Sequence, residues 1–566
     1  MDQLLRRVLI GIPAGLLAGT ALLIILGHPF LTVVFCAFVG ACYSASLDPT
    51  RGTYVDNLMA GAALGVPLWG LVSVIGIPVL SGHQPEWNAE QMRSQFPALI
   101  GWVIYGAVLG FLTQAFNDMA VSIWGPETGS RVPTEAEKTR IVILGGGFAG
   151  MHTAECLERQ FRTNPNVRLT LISDTNALLF TPMLAEVAGS SLEPTHISTP
   201  LRSSLHRTEF IRGQVSRVDL EGRRIFLASD PMAPESSPVR EVSYDHLVFA
   251  LGAVSNYLGM VNLQKYSFNF KSLLDAIRIR NHVIEMFERA DRDPDPARRR
   301  ALLTFIVAGG GFAGVELAGA LNDYAHGILA DYPKLRREDL SIVLVHARDR
   351  ILPELSESLA RYAQERMEAR GVIFRLNTRL TDAGPGVVTL SDGEIQAETL
   401  VWTAGTAPNP LVQALPLDKD KRRALVVDQT LAVPGRPGLW ALGDCAAVID
   451  AKTEKPCPPT AQFALREAQV LAQNIRAHVE GRPLRKFHFD SLGALCVVGH
   501  QTACAELTVP FARNKSVRFS GLLAWAMWRG IYLSKLPGFE RKIRVAMDWV
   551  VELFFPRDIV QTIELK

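Results

Sequence analysis

Six residues occur twice in this chain, and each copy sits where a pyrophosphate could be held. Arg140–Leu144 (RIVIL) is a short apolar strand that runs into Gly145-Gly146-Gly147-Phe148-Ala149-Gly150 and then into a helical pattern. Thr304–Ala308 (TFIVA) leads in the same way into Gly309-Gly310-Gly311-Phe312-Ala313-Gly314 and the helix VELAGALNDYA. In a GxGxxG loop the first glycine (Gly145, Gly309) makes the tight turn. The second (Gly147, Gly311) lets the backbone approach a pyrophosphate, and the third (Gly150, Gly314) lets helix and strand pack closely. The helix N-terminus adds N–H groups and the positive end of its dipole. One such loop is a weak signal. Two, each between an apolar strand and a helix, predict two dinucleotides, a flavin and a nicotinamide.

Other strand ends repeat a second pattern. Tyr244–Gly252 (YDHLVFALG) is a polar start, an apolar strand and a glycine, with Ala250 and Gly252 assigned to cofactor binding. Thr399–Asn409 (TLVWTAGTAPN) repeats that form and contributes Gly405. Leu439–Cys445 (LWALGDC) is an apolar strand ending in Gly443-Asp444. A carboxylate there could accept a hydrogen bond from a ribityl hydroxyl; taken alone, Asp444 reads better as a turn residue after a glycine.

These loops occupy only part of the 566 residues, a length that suits three or four domains. The 58 basic and 56 acidic side chains nearly cancel, which excludes the basic footprint of a nucleic-acid partner. Seven cysteines without a CxxC pair exclude a disulfide scaffold and predict no metal site. Charge is unevenly spread. Residues 1–125 hold four basic and six acidic side chains, and 8–47, 57–85 and 94–117 hold none. Each stretch exceeds the roughly 20 apolar residues that cross a bilayer. Four spans are predicted, at about 8–26, 30–47, 58–80 and 98–117, with Gly27-His28-Pro29 as the first turn. Length, and the lack of a small-residue cleavage site, argue against a cleaved signal peptide. Arg6, Arg7, Arg51, Arg131, Lys138 and Arg140 lie on one side and Arg93 on the other, which puts the N-terminus and everything after the fourth span in the cytoplasm. No charged residue sits mid-span, so the helices read as an anchor and not a pump. Gly15, Gly19, Gly61, Gly65, Gly106 and Gly110, paired at GxxxG spacing, would let them pack closely. Residues 125–139 have linker composition.

With these motifs, residues 138–566 resemble the type II NADH:quinone oxidoreductases, FAD enzymes of the pyridine nucleotide-disulfide oxidoreductase superfamily. The resemblance is carried by GGGFAG (145–150), LLFTPMLAEVAG (178–189), GGGFAGVELAG (309–319), WTAGTAPN (402–409), LWALGDCA (439–446), TAQFALREA (460–468) and the C-terminal tail. It implies an α/β fold with two Rossmann-like domains: an FAD domain split into 140–300 and 397–482, and an NAD(P)H domain at 301–396 inserted in it. A membrane-associated or dimerising segment at 483–566 follows. The four-helix transmembrane domain at 1–124 is not part of the usual family pattern. By resemblance, Thr181 and Pro182 lie near the isoalloxazine, Val215 touches the adenine through its backbone, Asp444 holds the ribityl chain, and Glu316 stands beside nicotinamide and flavin. The implied activity is NADH (or NADPH) oxidation through FAD with reduction of a membrane quinone and no proton pumping, at a bacterial-type inner membrane.

Three positions depart from the family. Ser173, with Asp174 next to it, stands where an acid usually binds the FAD ribose, and either could serve. His346, followed by Arg348, stands where an NADH site usually has Glu; NADH is the preferred reading and NADPH stays open. At the expected quinone entrance, near Ala461 and Gln462, Arg466 replaces a second glutamine. Further on, Ile543, Ala546, Met547, Val550, Val551 and Phe554 recur at helical spacing within 540–555, flanked by Arg541, Lys542 and Arg544. This is an interfacial pattern, with Trp525, Trp528 and Trp549 expected as headgroup-level anchors; a homodimer mate is the other candidate for that face. Two rivals remain. A sulfide:quinone oxidoreductase would need cysteines at the flavin, for which Cys156 and Cys457 are poorly placed. A redox-sensing or scaffold flavoprotein would need one degraded nucleotide loop, and neither is.

Overall fold

The structure is a computed structural model that describes residues 3–26, 29–46, 54–82, 94, 96–124, 138–228, 240–508 and 516–561. The chain divides into two units, Met1–Val132 and Pro133–Lys566. The Gly27-His28 turn, linker residues 125–137, and Arg51, Arg93 and Arg131 lie outside the described residues.

In the first unit all four predicted apolar stretches are helical. Gln3–Leu26 and Pro29–Ser46 come first. Tyr54–Leu68 runs through a π-helical stretch, Trp69–Gly76, into Ile77–Leu80, and Phe96–Trp124 completes the set. Pro67 brings no N–H to the helical ladder, and the wider stretch begins two residues later. Tyr54–Val79 and Phe96–Ala120 have mean hydropathies of 2.0 and 1.8 and are each long and apolar enough to cross a membrane. The glycines lie at the crossings. A Cβ on Gly15 would strike the Cys36 carbonyl, and one on Gly61 the Gly106 carbonyl. Small residues thus let backbones touch, first helix on second and third on fourth.

The second unit is organised by two five-stranded parallel sheets. The first has the order Leu439–Ala441, His246–Phe249, Thr139–Leu144, Val167–Ser173, Thr208–Arg212. The second has the order Phe268–Asn269, Thr399–Trp402, Thr304–Ala308, Ser341–Val345, Val372–Arg375. Their central strands are continuous apolar runs because helices cover both faces of a parallel sheet. A two-stranded ribbon, Ala253–Ser255 against Thr406–Pro408, joins the parts. The second sheet reaches beyond the expected boundaries of 301 and 396. Thr399–Trp402 pairs with Thr304–Ala308, and Phe268–Asn269 adds the edge, so both belong with the second glycine loop and not the first. The sequence hides this because every buried parallel strand reads alike.

The C-terminal part is a three-stranded antiparallel sheet (Gly493–Gly499, Thr502–Thr508, Ser516–Ser520) followed by helices Gly521–Lys535 and Phe539–Phe554. Gly538, at φ +84°, makes the reversal between them. Ile543, Met547, Val550, Val551 and Phe554 are exposed, as the periodicity predicts. The tryptophan expectation is corrected. Trp528 and Trp549 are buried at 1% and 6% exposure, where they pack on each other and on the core, so neither ring faces outward. Helical spacing puts Trp549 two residues from Met547 and Val551, on the opposite face.

Candidate active site

Each glycine loop has the geometry its spacing demands. Gly145 and Gly309 take φ of +107° and +129°, conformations that L side chains rarely adopt. A Cβ on Gly150 would strike the Gly145 carbonyl, and one on Gly314 the Gly309 carbonyl, so only glycine allows either helix so close to its strand. Gly147 has nothing within 4 Å of where its Cβ would be, and Gly311 has only Glu354 Oε1 at 4.0 Å. Each of these two glycines is the N-cap of its helix, Phe148–Gln160 or Phe312–Ile328. Both helices therefore open on bare backbone with free space before it, which fits a dinucleotide pyrophosphate at each. Ala250 backs the first loop; its carbonyl is what a Gly145 Cβ would meet.

The neighbouring strand ends differ. Ser173 closes Val167–Ser173, is buried, and turns its hydroxyl toward Gly146, whereas Asp174 is exposed. At the matching place His346 follows Ser341–Val345. Its Nδ1 accepts a hydrogen bond from the Gly310 N–H (3.0 Å), which fixes the proton on Nε2. Nε2 is buried and makes no hydrogen bond within the protein. Burial, with Arg348 beside it, lowers the His346 pKa and keeps the ring neutral. Gly252 and Gly405 immediately precede the two strands of the ribbon, at φ +64° and +95°. Val215 opens the strand Val215–Asp219 in a separate three-stranded sheet.

Around Asp444 the structure gathers residues that sequence reasoning missed. Gly443, at φ +69°, donates its N–H to Glu467 Oε2 (2.7 Å). Burial pushes Glu467 up to about 7. Burial also raises Asp444, against the pull of Lys271 and then Arg422. Lys271 is held in place where Asp275 Oδ2 accepts its backbone N–H (3.0 Å), next to the Ser272–Asp275 capping box. Asp444, Lys271 and the Glu467-bound turn supply the acceptors and donors that a polyhydroxyl chain needs. Glu467 lies inside the matched motif TAQFALREA, but as one helical carboxylate it carried no signal of burial.

Glu316 lies in the second turn of the helix Phe312–Ile328. Val497 donates its N–H to Glu316 Oε1 (3.3 Å), and burial pushes the carboxyl up to about 8. It lines a cavity with Pro182, Val497, Trp528 and Arg529. Thr181 precedes Pro182 in a single 3-10 turn, Thr181–Met183. Gln462 is held against the C-terminal sheet. Its Oε1 accepts the Leu492 N–H (2.7 Å) and its Nε2 donates to the Gly493 carbonyl (3.3 Å), so its amide clamps the start of the C-terminal sheet. Ala461 begins the same helix, Ala461–Val479. Arg466 donates to Gln469 (3.2 Å) and lies over the Phe489 ring. Burial raises the cysteine thiols: Cys496, which faces Glu316, well above its usual value, and Cys445 and Cys457 each up to about 12.

Comparison with known proteins agrees with this geometry. The pyridine nucleotide-disulphide oxidoreductase family matches residues 139–468, and the NDH2 C-terminal domain matches 492–558. The chain belongs to this family, as a type II NADH dehydrogenase. The type II NADH:quinone oxidoreductase Ndh of Mycobacterium tuberculosis is 29% identical over 434 residues, 74% of this chain and 89% of that one. The external alternative NADH-ubiquinone oxidoreductase of Yarrowia lipolytica mitochondria is 28% identical, over 76% of this chain and 82% of that one. Among solved structures, NDH2 from Plasmodium falciparum in complex with NADH superposes with a TM-score of 0.67 at 19% identity, covering 75% of this chain and all of that one. At that identity it speaks for the fold alone.

Proposed function

We propose that NADH seats on the Gly309–Gly314 loop, that FAD seats on the Gly145–Gly150 loop, and that the electron pair leaves to a quinone dissolved in the membrane. NADH oxidation with quinone reduction is the activity of this family, and FAD, when bound, accepts hydride at one step and gives up the pair at the next. The observation that carries the reading is the pair of complete glycine cradles on two parallel sheets, joined by one ribbon and followed by the NDH2-type C-terminal domain.

The chain's own groups divide the work. Gly145, Gly147 and Gly150 hold one pyrophosphate, and Gly309, Gly311 and Gly314 the other. Ser173 or Asp174 takes the FAD ribose and Val215 the adenine. Ala250, Gly252 and Gly405 keep the backbone close. Asp444, backed by Lys271 and Glu467, orients the ribityl chain, with Thr181 and Pro182 at the isoalloxazine. Glu316 keeps a proton at neutral pH beside the reaction centre. Gln462 and Ala461 shape the quinone approach, Gln462 by fixing the turn at 491–493.

The four N-terminal helices span a bacterial-type inner membrane, with both dinucleotide sheets on the cytoplasmic side. The exposed apolar face of Phe539–Phe554 lies on lipid. The decisive experiment follows the visible flavin spectrum of the isolated protein. NADH should bleach it, and a short-chain quinone should restore it. A colourless protein, or a flavin that NADH leaves oxidised, sinks the reading.

A further inference from the structure

A second carboxyl, Glu186, lines the cavity beside Glu316. Glu186, in the short helix Leu184–Ala188, keeps only 14% of its side chain exposed. Trp549 Nε1 donates to its Oε2 (3.3 Å), and Arg529 stands 3.9 Å from its Oε1. That arginine is committed elsewhere: it donates to Glu552 at 2.8 Å and lies over the rings of Trp525 and Trp549. Arg557 also pairs with Glu552 (2.9 Å), and Arg370 pairs with Asp323. Glu186 faces Arg529 and Arg557, both shared with Glu552, and Glu552 is itself a like charge beside it; Glu316 has no ion pair among the described residues. The groups facing Glu316 are Glu186, Cys496, Tyr532 and the Trp528 indole. Buried carboxyls without a counter-charge keep their protons. Burial pushes Glu186 up to about 7, and Glu186 in turn raises Glu316 further.

Both carboxyls line one space of about 40 Å³. At roughly 10–15 Å³ each, that is room for about two to four waters. Trp528 Nε1, which neighbours Glu316, and Arg529 Nε are buried donors on its wall that make no direct hydrogen bond of normal geometry within the protein. The same space reaches Asp323 and His500. The His500 N–H donates to Asp323 Oδ2 (2.6 Å), and His500 is exposed. One space thus joins Glu316 and Glu186 to a mouth at Asp323 and the exposed His500.

We propose that this cavity is the proton feed for quinone reduction, in which Glu186 relays a proton from the Asp323–His500 mouth to Glu316. The inference rests on the reading of Glu316 as the acid at the reaction centre. The overall exchange is NADH + H⁺ + quinone → NAD⁺ + quinol. The hydride brings both electrons and one proton, and the second hydrogen of the quinol enters from water as a proton. Glu316 gives up that proton, Glu186 replaces it, and Glu186 is refilled from the mouth, so both carboxyls end as they began.

The test uses the full chain in phosphatidylcholine vesicles with NADH and a short-chain quinone, comparing wild type with Glu186→Gln. Wild-type kcat should fall as pH rises above about 8, where the proton on Glu316 is lost. Glu186→Gln should keep its flavin and its bleaching by NADH, but lose about tenfold or more in quinone-dependent kcat. Its alkaline limb should move to lower pH, because Glu316 no longer faces a like charge, and Glu186→Asp should recover part of the rate. An unchanged kcat and pH profile in Glu186→Gln, beside a wild type that turns over, overturns the relay alone. A wild type whose flavin NADH does not bleach overturns the functional reading and the relay with it. If Glu186→Gln fails to fold, Trp549→Phe removes the N–H donor to Glu186, leaves Glu186 less ionised beside Glu316, and should move the limb to lower pH; no movement overturns the relay.

Discussion

The two glycine loops share six residues and almost every backbone feature, yet they face different neighbours. Both start at a left-handed glycine, both cap a helix with a bare one, and both pack a third against the first. Beside the first stands the Ser173 hydroxyl; beside the second stands a neutral His346 whose free Nε2 is a donor. The comparison separates two jobs. On the proposed reading, the loop recognises what all dinucleotides share, a pyrophosphate, while the end of the next strand reads what distinguishes them. Identical loops can therefore serve different ligands with no change of their own.

Four substitutions test that division, from the largest effect down. Gly150→Ala forces a Cβ into the Gly145 carbonyl. Overpacking of this kind costs about 1–3 kcal/mol, so the protein should lose most of its bound flavin on gel filtration, read as lost visible absorbance. The same change in the other loop, Gly314→Ala, should leave the protein yellow and raise the NADH KM by roughly tenfold. If both variants lose the flavin alike, the loops are not separate sites. His346→Glu replaces a donor with an acceptor that repels a 2′-phosphate, and should shift the NADH/NADPH ratio of kcat/KM toward NADH by about tenfold. An unmoved ratio would show that the strand end does not read the ribose. Gln462→Ala removes two hydrogen bonds at the turn before Gly493, worth about 1 kcal/mol each, and should lower the denaturation midpoint while NADH bleaching persists.

Both sheets were legible in the sequence wherever a strand ran into a glycine, because the chemistry of a turn and of a helix start is local. Sheet membership was not. Thr399–Trp402 and His246–Phe249 are both short apolar strands before a glycine, and only pairing assigns one to each sheet. At the site, Asp444 was visible because it ends a strand. Lys271, Glu186 and Glu467 were not, because a lone charge reads as solvated until distant elements bury it. The two misread tryptophans teach the same point: an aromatic residue beside an apolar stripe gives no sign of which way the helix rolls.

One pairing bears on how the chain comes to be folded. Leu439–Ala441 forms the edge of a sheet whose other strands end by Arg212 and Phe249. The sheet around the second glycine loop is finished when Trp402 emerges from the ribosome, whereas the first waits for about forty residues more. The unit made earlier is thus completed later, and that long closure makes it the slower of the two to assemble. A nascent chain halted before Leu439 would capture pyridine nucleotide but remain without colour.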